Sequence, residues 1–510
     1  MKLRIDGKIN HYYVQTLCMM LFPGVRFSED EVESPDATAA YVKTEPLLRE
    51  AEGAAGEYGI RAEVTLRHAG RCASSVHEMA YSALHTHEKT EKIAVGKCFF
   101  DAGEELLHYR PVWGILTGVR PAKLAMDYLN RGFDAEAVKA ILREEMLVNP
   151  KKATLATDVA VFEKQLADVT TPDTCSVYIS IPFCPTRCAY CSFVSYTSQK
   201  LLALIPEYLV KLCGEIDETF RILRENGRRV VTVYIGGGTP TTLNASQLEI
   251  LLARIAANVD VSSLAEFTLE AGRPDTITEE KFRIARRYGV TRISINPQTL
   301  NDEILASIGR RHTVEDFLRA YDIARSSGIP HINTDLIAGL PGESFLSFSK
   351  TVDRILELHP DNITVHTFCV KKAAEILREG TDVYSRTGGE TGKSVEYSHV
   401  SVINAGYQPY YLYRQKNTVG NFENVGFCLP GTEGRYNILM MEELHSVFAV
   451  GAGAVTKLVS ADRGHIERIF SPKYPYEYLA PGAPTTANRN DDEAIRAYFE
   501  KYLVLQTKTT

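Results

Sequence analysis

From about residue 177 the chain alternates short apolar runs with longer stretches in which apolar side chains recur every three or four residues. The short runs predict buried strands, and the longer stretches predict amphipathic helices. The predicted strands are 177–181, 230–235, 265–270, 291–295, 332–337 and 362–367. The predicted helices are 206–226, one from about 244, 278–289, 313–328, 344–358 and 391–405. Six βα units in succession predict a parallel sheet with helices outside it, closed or partly closed into a barrel.

The segments before and after this repeat follow other patterns. The elements predicted before it are a helix at 9–22, a strand around 62–67, and helices at 75–107, 121–130, 134–146 and 151–167. After Tyr407 come an aromatic and basic segment, a glycine-rich stretch and a proline-rich loop. We therefore predict an α/β protein of three domains: an N-terminal α+β domain over 1–170, the barrel over 171–406 and a C-terminal capping domain over 407–510.

Composition narrows the class of protein. The chain has 510 residues, of which 45% are hydrophobic and 24% charged, as is usual for a globular protein. No apolar run approaches the ~18 residues of a membrane span, and the N-terminus lacks the pattern of a secretory signal. The formal net charge of −7 gives no reason to expect nucleic-acid binding. It also means that an anionic substrate needs a locally basic cavity.

Three cysteines follow the first predicted strand in a C-x3-C-x2-C spacing: Cys184, Cys188 and Cys191. This spacing brings three thiolates to one side of a single loop. Thiolates select iron–sulfur clusters, and three of them suit a cubane cluster with one open iron. No fourth ligand follows nearby, since Phe193 stands two residues after Cys191. The alternative is a zinc site completed by a distant His or Cys.

The cysteine motif, with Tyr190 before its third cysteine, resembles that of the radical S-adenosylmethionine (SAM) superfamily. The preceding segment 178–183 is similar to that of oxygen-independent coproporphyrinogen III dehydrogenases and their haem-chaperone relatives. Segments around Trp113 and Tyr413 resemble the HemZ-type branch, so the similarity covers nearly the whole chain. The resemblance implies a partial (β/α)6 barrel, a [4Fe–4S] cluster with SAM on its open iron, and hydrogen abstraction by a 5′-deoxyadenosyl radical.

Ligands collect at the carboxyl ends of the strands in parallel barrels, and most residues that the resemblance assigns to SAM follow a predicted strand. The assigned residues are Tyr178 (candidate catalytic residue) and Tyr190 near the cluster, Gly237, Gly238 and Thr239 at the methionine part, Glu270, Gln298 and Asp335 at the ammonium, ribose or adenine, and Arg310. Each has a plainer interpretation: a tight turn for the glycines, a rim ion pair for Glu270, a partnered core carboxylate for Asp335. A core position is the plainer interpretation of Tyr178, and Arg311 is a rival of Arg310. Three residues, the last of them Arg273, stand between Glu270 and the next proline, where the family often has two.

The resemblance implies oxidative decarboxylation of two propionates of coproporphyrinogen III to vinyls, giving protoporphyrinogen IX in haem synthesis. It also implies an outside one-electron donor, such as flavodoxin or ferredoxin, and a final electron acceptor. Such a tetrapyrrole carries four carboxylates, which arginine and lysine near aromatic rings recognise. The candidates by chemistry are Arg120, Lys123, Arg414 and Lys416, and the alternative for each is a solvated surface charge.

One departure leaves the substrate open. The best-understood dehydrogenases carry a fourth cysteine where this chain has Phe193, as the haem chaperones do. Two alternatives therefore stand beside the dehydrogenase: a haem carrier that keeps the cluster, and a radical enzyme that acts on another tetrapyrrole such as haem. The 170 residues before the cluster strand count against the carrier. We expect a cytoplasmic monomer, because an oxygen-sensitive cluster and cysteines without paired spacing suit a reducing compartment.

Overall fold

The computed structural model describes residues 1–27, 36–51, 54–191, 195–369, 388–415, 418–483 and 491–503. The chain forms two compact units. The first comprises residues 1–161, 382–393 and 412–423, and the second comprises 162–381, 394–411 and 424–510. Within the described ranges, no helix has both the length and the apolar character needed to cross a membrane.

The described strands are β1 (Lys2–Asp6), β2 (Ala39–Ala51), β3 (Ala54–His68), β4 (Arg71–Ala80), β5 (Thr174–Ile181), β6 (Arg229–Gly237), β7 (Glu266–Glu270), β8 (Arg292–Ser294), β9 (His331–Ala338), β10 (Asn362–Thr367), β11 (Gln408–Arg414), β12 (Glu423–Cys428), β13 (Ser446–Val450), β14 (Val455–Val459) and β15 (Ile466–Phe470). The described α-helices are α1 (His11–Leu21), α2 (His87–Leu107), α3 (Pro121–Asn130), α4 (Ala135–Glu144), α5 (Pro150–Val169), α6 (Gln199–Leu202), α7 (Ile205–Glu225), α8 (Ala245–Asn258), α9 (Glu279–Arg287), α10 (Asp302–Ser307), α11 (Val314–Ser326), α12 (Phe345–Glu357), α13 (Gly389–Asn404), α14 (Arg435–Met441), α15 (Pro475–Leu479) and α16 (Asp491–Leu503).

The first unit contains a four-stranded sheet in the order β1-β2-β3-β4. β1 runs parallel to β2, and the other neighbours are antiparallel. Its core joins Val14 and Leu17 of α1, Val64 of β3 and Phe99 of α2, all buried. Burial of such apolar faces, at about 25 cal/mol per Å² removed from water, holds the helices on the sheet.

The structure corrects one prediction in this unit. Residues 75–80 belong to β4 and not to a helix, because β4 pairs with β3 along its whole length. The helix begins only at His87, where the side chain of Thr86 accepts a hydrogen bond from the backbone N–H of Lys89 at 3.2 Å. A threonine at this position satisfies an otherwise unpaired N–H of the first turn. The predicted helix 9–22 and the strand around 62–67 are confirmed by α1 and β3.

The second unit is organised on an eleven-stranded sheet in the order β11-β12-β10-β9-β8-β7-β6-β5-β13-β14-β15. The six predicted strands are confirmed as β5 to β10, which lie side by side in chain order and run parallel. Their carboxyl ends therefore meet at one edge of the sheet. The sheet ends at β11 and β15 and is not closed, as expected for a partial barrel.

The chain after residue 407 supplies five strands to this sheet, which the hydrophobic pattern did not predict. β13 adds a seventh parallel strand beside β5, and β14 and β15 follow it antiparallel. β12 pairs antiparallel with β10 at the other side. The three predicted domain boundaries stay a prediction.

Predicted helix starts are visible as side-chain caps. Thr313 and Asp316 form a capping box at α11, and Asn244 and Gln247 form one at α8. Thr278 caps α9 through a hydrogen bond from the Lys281 N–H. These polar caps fix where each helix begins, and thereby the lengths of the loops that leave the carboxyl ends of the strands.

Candidate cofactor site

The three cysteines lie on the loop that leaves β5. Cys184 and Cys188 are about nine-tenths buried, and Cys191 is partly exposed. Backbone hydrogen bonds hold the loop at several places: Cys184 N–H donates to Tyr196 O at 3.1 Å, and Ala189 N–H donates to Ile308 O at 3.0 Å. The loop is thus fixed both on its own returning chain and on the turn after α10.

Side chains from neighbouring strand ends contact the loop. The Arg273 guanidinium is nearly buried, with Nη1 at 3.6 Å from Cys188 Sγ and Nη2 donating to Thr186 Oγ1 at 2.7 Å. Thr239 Oγ1 shares a hydrogen bond of 3.3 Å with Cys184 Sγ. Burial raises the pKa of the Cys184 thiol to about 11, although the Thr239 contact lowers it. The charge of Arg273 also lowers the pKa of Cys184, which favours the thiolate, the form that binds metal.

The glycine segment after β6 lies against the start of this loop. Gly238 N–H donates to Ile181 O and Thr239 N–H donates to Phe183 O, both at 2.8 Å. A methyl group at Gly238 would lie 2.6 Å from Phe183 O and 3.0 Å from Cys184 Sγ. These two amides are therefore engaged by the loop, and glycine at 238 is required by the close approach of the loop backbone.

No group of three His, Cys, Asp or Glu side chains among the described residues surrounds a single ion position. A cubane cluster makes a different demand, because each thiolate binds its own iron. The set of three thiols, one open side and a neighbouring buried cation fits such a cluster.

Three tyrosines stack beside Glu270. The ring centroids of Tyr178 and Tyr234 are 6.0 Å apart, and those of Tyr234 and Tyr436 are 4.4 Å apart. Tyr234 Oη donates to Glu270 Oε1 at 2.6 Å. Burial raises the pKa of Glu270 to about 7, which the Tyr234 hydrogen bond partly offsets. Glu270 is thus a partly exposed carboxyl at the end of β7 that is hydrogen-bonded to Tyr234, and it forms no ion pair with a described residue.

Sequence reasoning missed two of these rings. Tyr234 pairs in register with Tyr178 across β5 and β6, so both side chains point to the same face of the sheet. Once β5 and β6 are paired in this register, the sequence indicates that the two tyrosine rings lie side by side. Tyr436 comes from α14, in the region where no strand–helix repeat was visible.

Gln298 has a buried amide with an unsatisfied acceptor. Its backbone has φ +70°, and its N–H donates to Asp335 O at 3.1 Å. The side chain is 6% exposed, and Oε1 has no hydrogen-bond partner among the described residues. A buried acceptor without a donor costs about 1–3 kcal/mol, so this atom fits a ligand that donates a hydrogen bond, such as a ribose hydroxyl.

Asp335 has protein partners of its own. Asn333 Nδ2 donates to Asp335 Oδ1 at 2.8 Å, and His366 Nε2 lies 3.7 Å from Oδ2. Burial opposes ionisation, but His366 and the Asn333 amide lower the pKa of Asp335 below its ordinary value. These contacts fit the partnered core carboxylate as well as the predicted contact to SAM.

Arg310 ties several loops together. It donates to Tyr190 Oη at 3.1 and 3.2 Å, to Gly272 O at 3.0 Å and to Asn296 O at 2.6 Å. Its rival Arg311 is exposed and makes no hydrogen bond or ion pair with a described residue. The geometry therefore favours Arg310 as the arginine of this site. The roles assigned to individual SAM contacts stay predictions.

The predicted substrate contacts belong to the first unit. Arg414 is 6% exposed and donates to Leu116 O at 2.7 Å and to Asn421 Oδ1 at 3.0 Å. Burial lowers the pKa of its guanidinium to about 10. Because its guanidinium is hydrogen-bonded within the protein, Arg414 fits a structural role better than the binding of a substrate propionate.

The other basic candidates are placed as follows. Arg120 and Lys123 lie half-buried at the start of α3, where both lower the pKa of Asp127 against the larger effect of burial. Lys416 lies outside the described residues, as does Phe193.

Residues 178–355 match the family described as the radical SAM superfamily. The chain is 41% identical over 371 residues to the oxygen-independent coproporphyrinogen-III oxidase-like protein HemZ of Bacillus subtilis, covering 72% of this chain and 74% of that one. It is 30% identical over 319 residues to the heme chaperone HemW of Lactococcus lactis, covering 62% and 76%. The solved structure of coproporphyrinogen III oxidase (HemN) from Escherichia coli matches with 22% identity and a TM-score of 0.49, covering 63% and 71%.

The matched segment contains the cysteine loop and the parallel strands β6 to β9, so this part of the chain is a radical SAM domain. The chain belongs to the HemN/HemZ-type family of radical SAM proteins. Members of the superfamily bind a [4Fe–4S] cluster and SAM. The predicted family, fold class and cofactors are thereby confirmed.

Proposed function

We propose that this protein is a SAM-dependent coproporphyrinogen III dehydrogenase. The observation that carries the proposal is the 41% identity to HemZ, which extends over 72% of the chain. The match to HemW of Lactococcus lactis is lower, at 30%, and spans 62% of the chain; HemW of Bacillus subtilis matches at 36% but over only 38% of the chain. The substrate is thus inferred from the relative, and the chemistry from the site.

The site residues have separate tasks in this proposal. Cys184, Cys188 and Cys191 would hold the cluster, and the cluster and SAM would supply the radical that abstracts hydrogen from the substrate. Arg273 and Arg310 hold the cysteine loop against the strand ends through hydrogen bonds to Thr186 and Tyr190. The unsatisfied Gln298 Oε1 accepts a hydrogen bond from the nucleoside, and the rings of Tyr178, Tyr234 and Tyr436 stack beside Glu270.

The atoms and electrons of the reaction balance for each propionate. One hydrogen atom leaves the carbon next to the macrocycle, the carboxylate departs as CO2, and the remaining electron passes to an outside acceptor. A vinyl group is left on the ring. Two such events convert coproporphyrinogen III to protoporphyrinogen IX, and each consumes one outside electron to form the radical.

An anaerobic turnover assay tests this proposal. Protein reconstituted with iron and sulfide is incubated with SAM, dithionite, an electron acceptor and either coproporphyrinogen III or haem. We expect protoporphyrinogen IX from the first substrate, identified by mass, and no product from Cys188→Ser. Cys213→Ser is the matched control, since Cys213 is a buried thiol of α7 outside the loop. SAM cleavage without this product would reject coproporphyrinogen III as substrate, and a new product from haem would support another tetrapyrrole.

A haem carrier is the second candidate function. The 30% identity to HemW, which covers 76% of that protein, favours it. A carrier would bind haem with a stoichiometry of one and pass it to an acceptor protein without porphyrinogen turnover. Haem titration and transfer, measured beside the turnover assay, separate the two functions.

A further inference from the structure

A cleft of about 570 Å³ opens beside the cysteine loop. Its lining includes Pro185, Thr186 and Arg187 of the loop and Gly309, Arg310 and Arg311 of the turn after α10. Three of the lining residues are arginines, and none is acidic. The cleft is therefore basic although the whole chain has a formal net charge of −7.

Two of these arginines are not engaged by the protein. Arg187 and Arg311 are exposed, and neither forms a hydrogen bond or an ion pair with any described residue. Arg310, in contrast, is buried and bonded to Tyr190 and two carbonyls. The cleft thus presents two unpaired cations to solvent, where the field of like charges adds.

The cysteine loop itself forms one wall of the cleft. Arg187 directly precedes Cys188, and a methyl group on Gly309 would lie 3.0 Å from Arg187 O. Ala189, on the other side of Cys188, is hydrogen-bonded to Ile308. Residues on both sides of Cys188 thus contact the turn after α10, and the cleft lies directly beside the loop that carries the three thiols.

We propose that this cleft is the docking surface for a small acidic protein that carries one electron. The proposal rests on the redox part of the proposed function, because the family needs a reductant, and it is independent of which tetrapyrrole is the substrate. The carrier gives up one electron through the loop wall, and no bond is made or broken. Complementary charge raises the rate of encounter and fixes orientation, and the short path through one loop suits transfer.

Charge reversal tests the docking surface. The variants are Arg187→Glu, Arg311→Glu and the double variant, and the matched control is Arg283→Glu with Lys350→Glu. Arg283 and Lys350 are exposed cations outside the cleft lining and have no ion pair with a described residue. The dissociation constant of oxidised ferredoxin and of flavodoxin is measured on reconstituted protein at low and at physiological salt. SAM cleavage driven by dithionite is measured on the same samples.

We expect the double reversal to weaken carrier binding roughly tenfold or more at low salt, because repulsion replaces two favourable charge pairs. The loss should shrink at higher salt, while cleavage of SAM with dithionite is unchanged. Equal binding by wild type, double variant and control would overturn the proposal. It would also fail if coproporphyrinogen III displaced the carrier from the cleft, since the arginines would then serve the substrate. Failure of the dehydrogenase assay alone leaves these binding results, and hence the docking surface, intact.

Discussion

Replacement of Gly238 by alanine tests whether the glycine segment shapes the cysteine loop. The added methyl group would meet Phe183 O at 2.6 Å and Cys184 Sγ at 3.0 Å. Phe183 O already accepts a hydrogen bond from Thr239 N–H at 2.8 Å, so it is not free to move away. The clash therefore falls on the residue that carries the first cluster thiol.

The size of the effect follows from these distances. Restoring ordinary contact with Phe183 O requires a movement of about 0.8 Å, and metal ligands tolerate only about 0.2 Å. Overpacking of this kind costs about 1–3 kcal/mol of folding free energy. We expect Gly238→Ala to fold with a lowered melting temperature and to take up much less iron than wild type.

Anaerobic reconstitution with iron and sulfide analysis measures the uptake, and calorimetry measures the melting temperature. Gly214→Ala is the control, because Gly214 lies in α7 with no atom within 4 Å of the added methyl. Alanine there should stabilise the helix by up to about 1 kcal/mol and leave iron content unchanged. Full iron uptake by Gly238→Ala, with the wild-type melting temperature, would refute the argument.

Three further predictions concern buried polar groups. Gln298→Leu should keep or raise the melting temperature, because it removes an unpaired acceptor. Calorimetry should show that the variant binds SAM roughly tenfold more weakly, and an unchanged SAM affinity would contradict this role of Gln298. Lys152→Met should cost about 3–5 kcal/mol in urea denaturation, because it removes the cation that lies 2.6 Å from Oε1 of the buried Glu423 carboxylate; the charge-free double variant with Glu423→Leu should recover much of this loss. Because burial raises the pKa of Glu270 to about 7 from 4.5, the folded state holds an extra proton and stability falls as pH rises between these values. Glu270→Gln should reduce that fall in melting temperature measured against pH on the unreconstituted protein, and an identical profile would count against it.

The repeating half of the chain was predictable because local signals agree there. Buried parallel strands are apolar throughout, and the helices between them carry their own caps, such as Thr278 and Thr313. The three cysteines were visible for a similar reason, since all the ligands come from one loop. Local sequence patterns are sufficient where one segment contains both the residues that determine an element or site and the element or site itself.

The remaining features depend on contacts between distant segments. β13 joins the sheet beside β5 although more than 260 residues separate them, and nothing in its own five residues shows its partner. β4 resembled part of a helix because its pairing with β3 decides its form. The tyrosine stack joins β5, β6 and α14, and only the register of the strands brings its rings together.

Arg273 departs from the family pattern, and the structure shows what this residue contacts. In the sequence it was an extra residue between Glu270 and the following proline, which made the geometry of that loop uncertain. In the structure its guanidinium reaches back to Thr186 and lies 3.6 Å from Cys188 Sγ. The extra residue thus places a buried guanidinium, paired with Asp275, against the cysteine loop, where its hydrogen bond to Thr186 restrains the loop. Arg273, the residue by which the sequence departs from the family pattern, is therefore one of those that hold the cysteine loop in position.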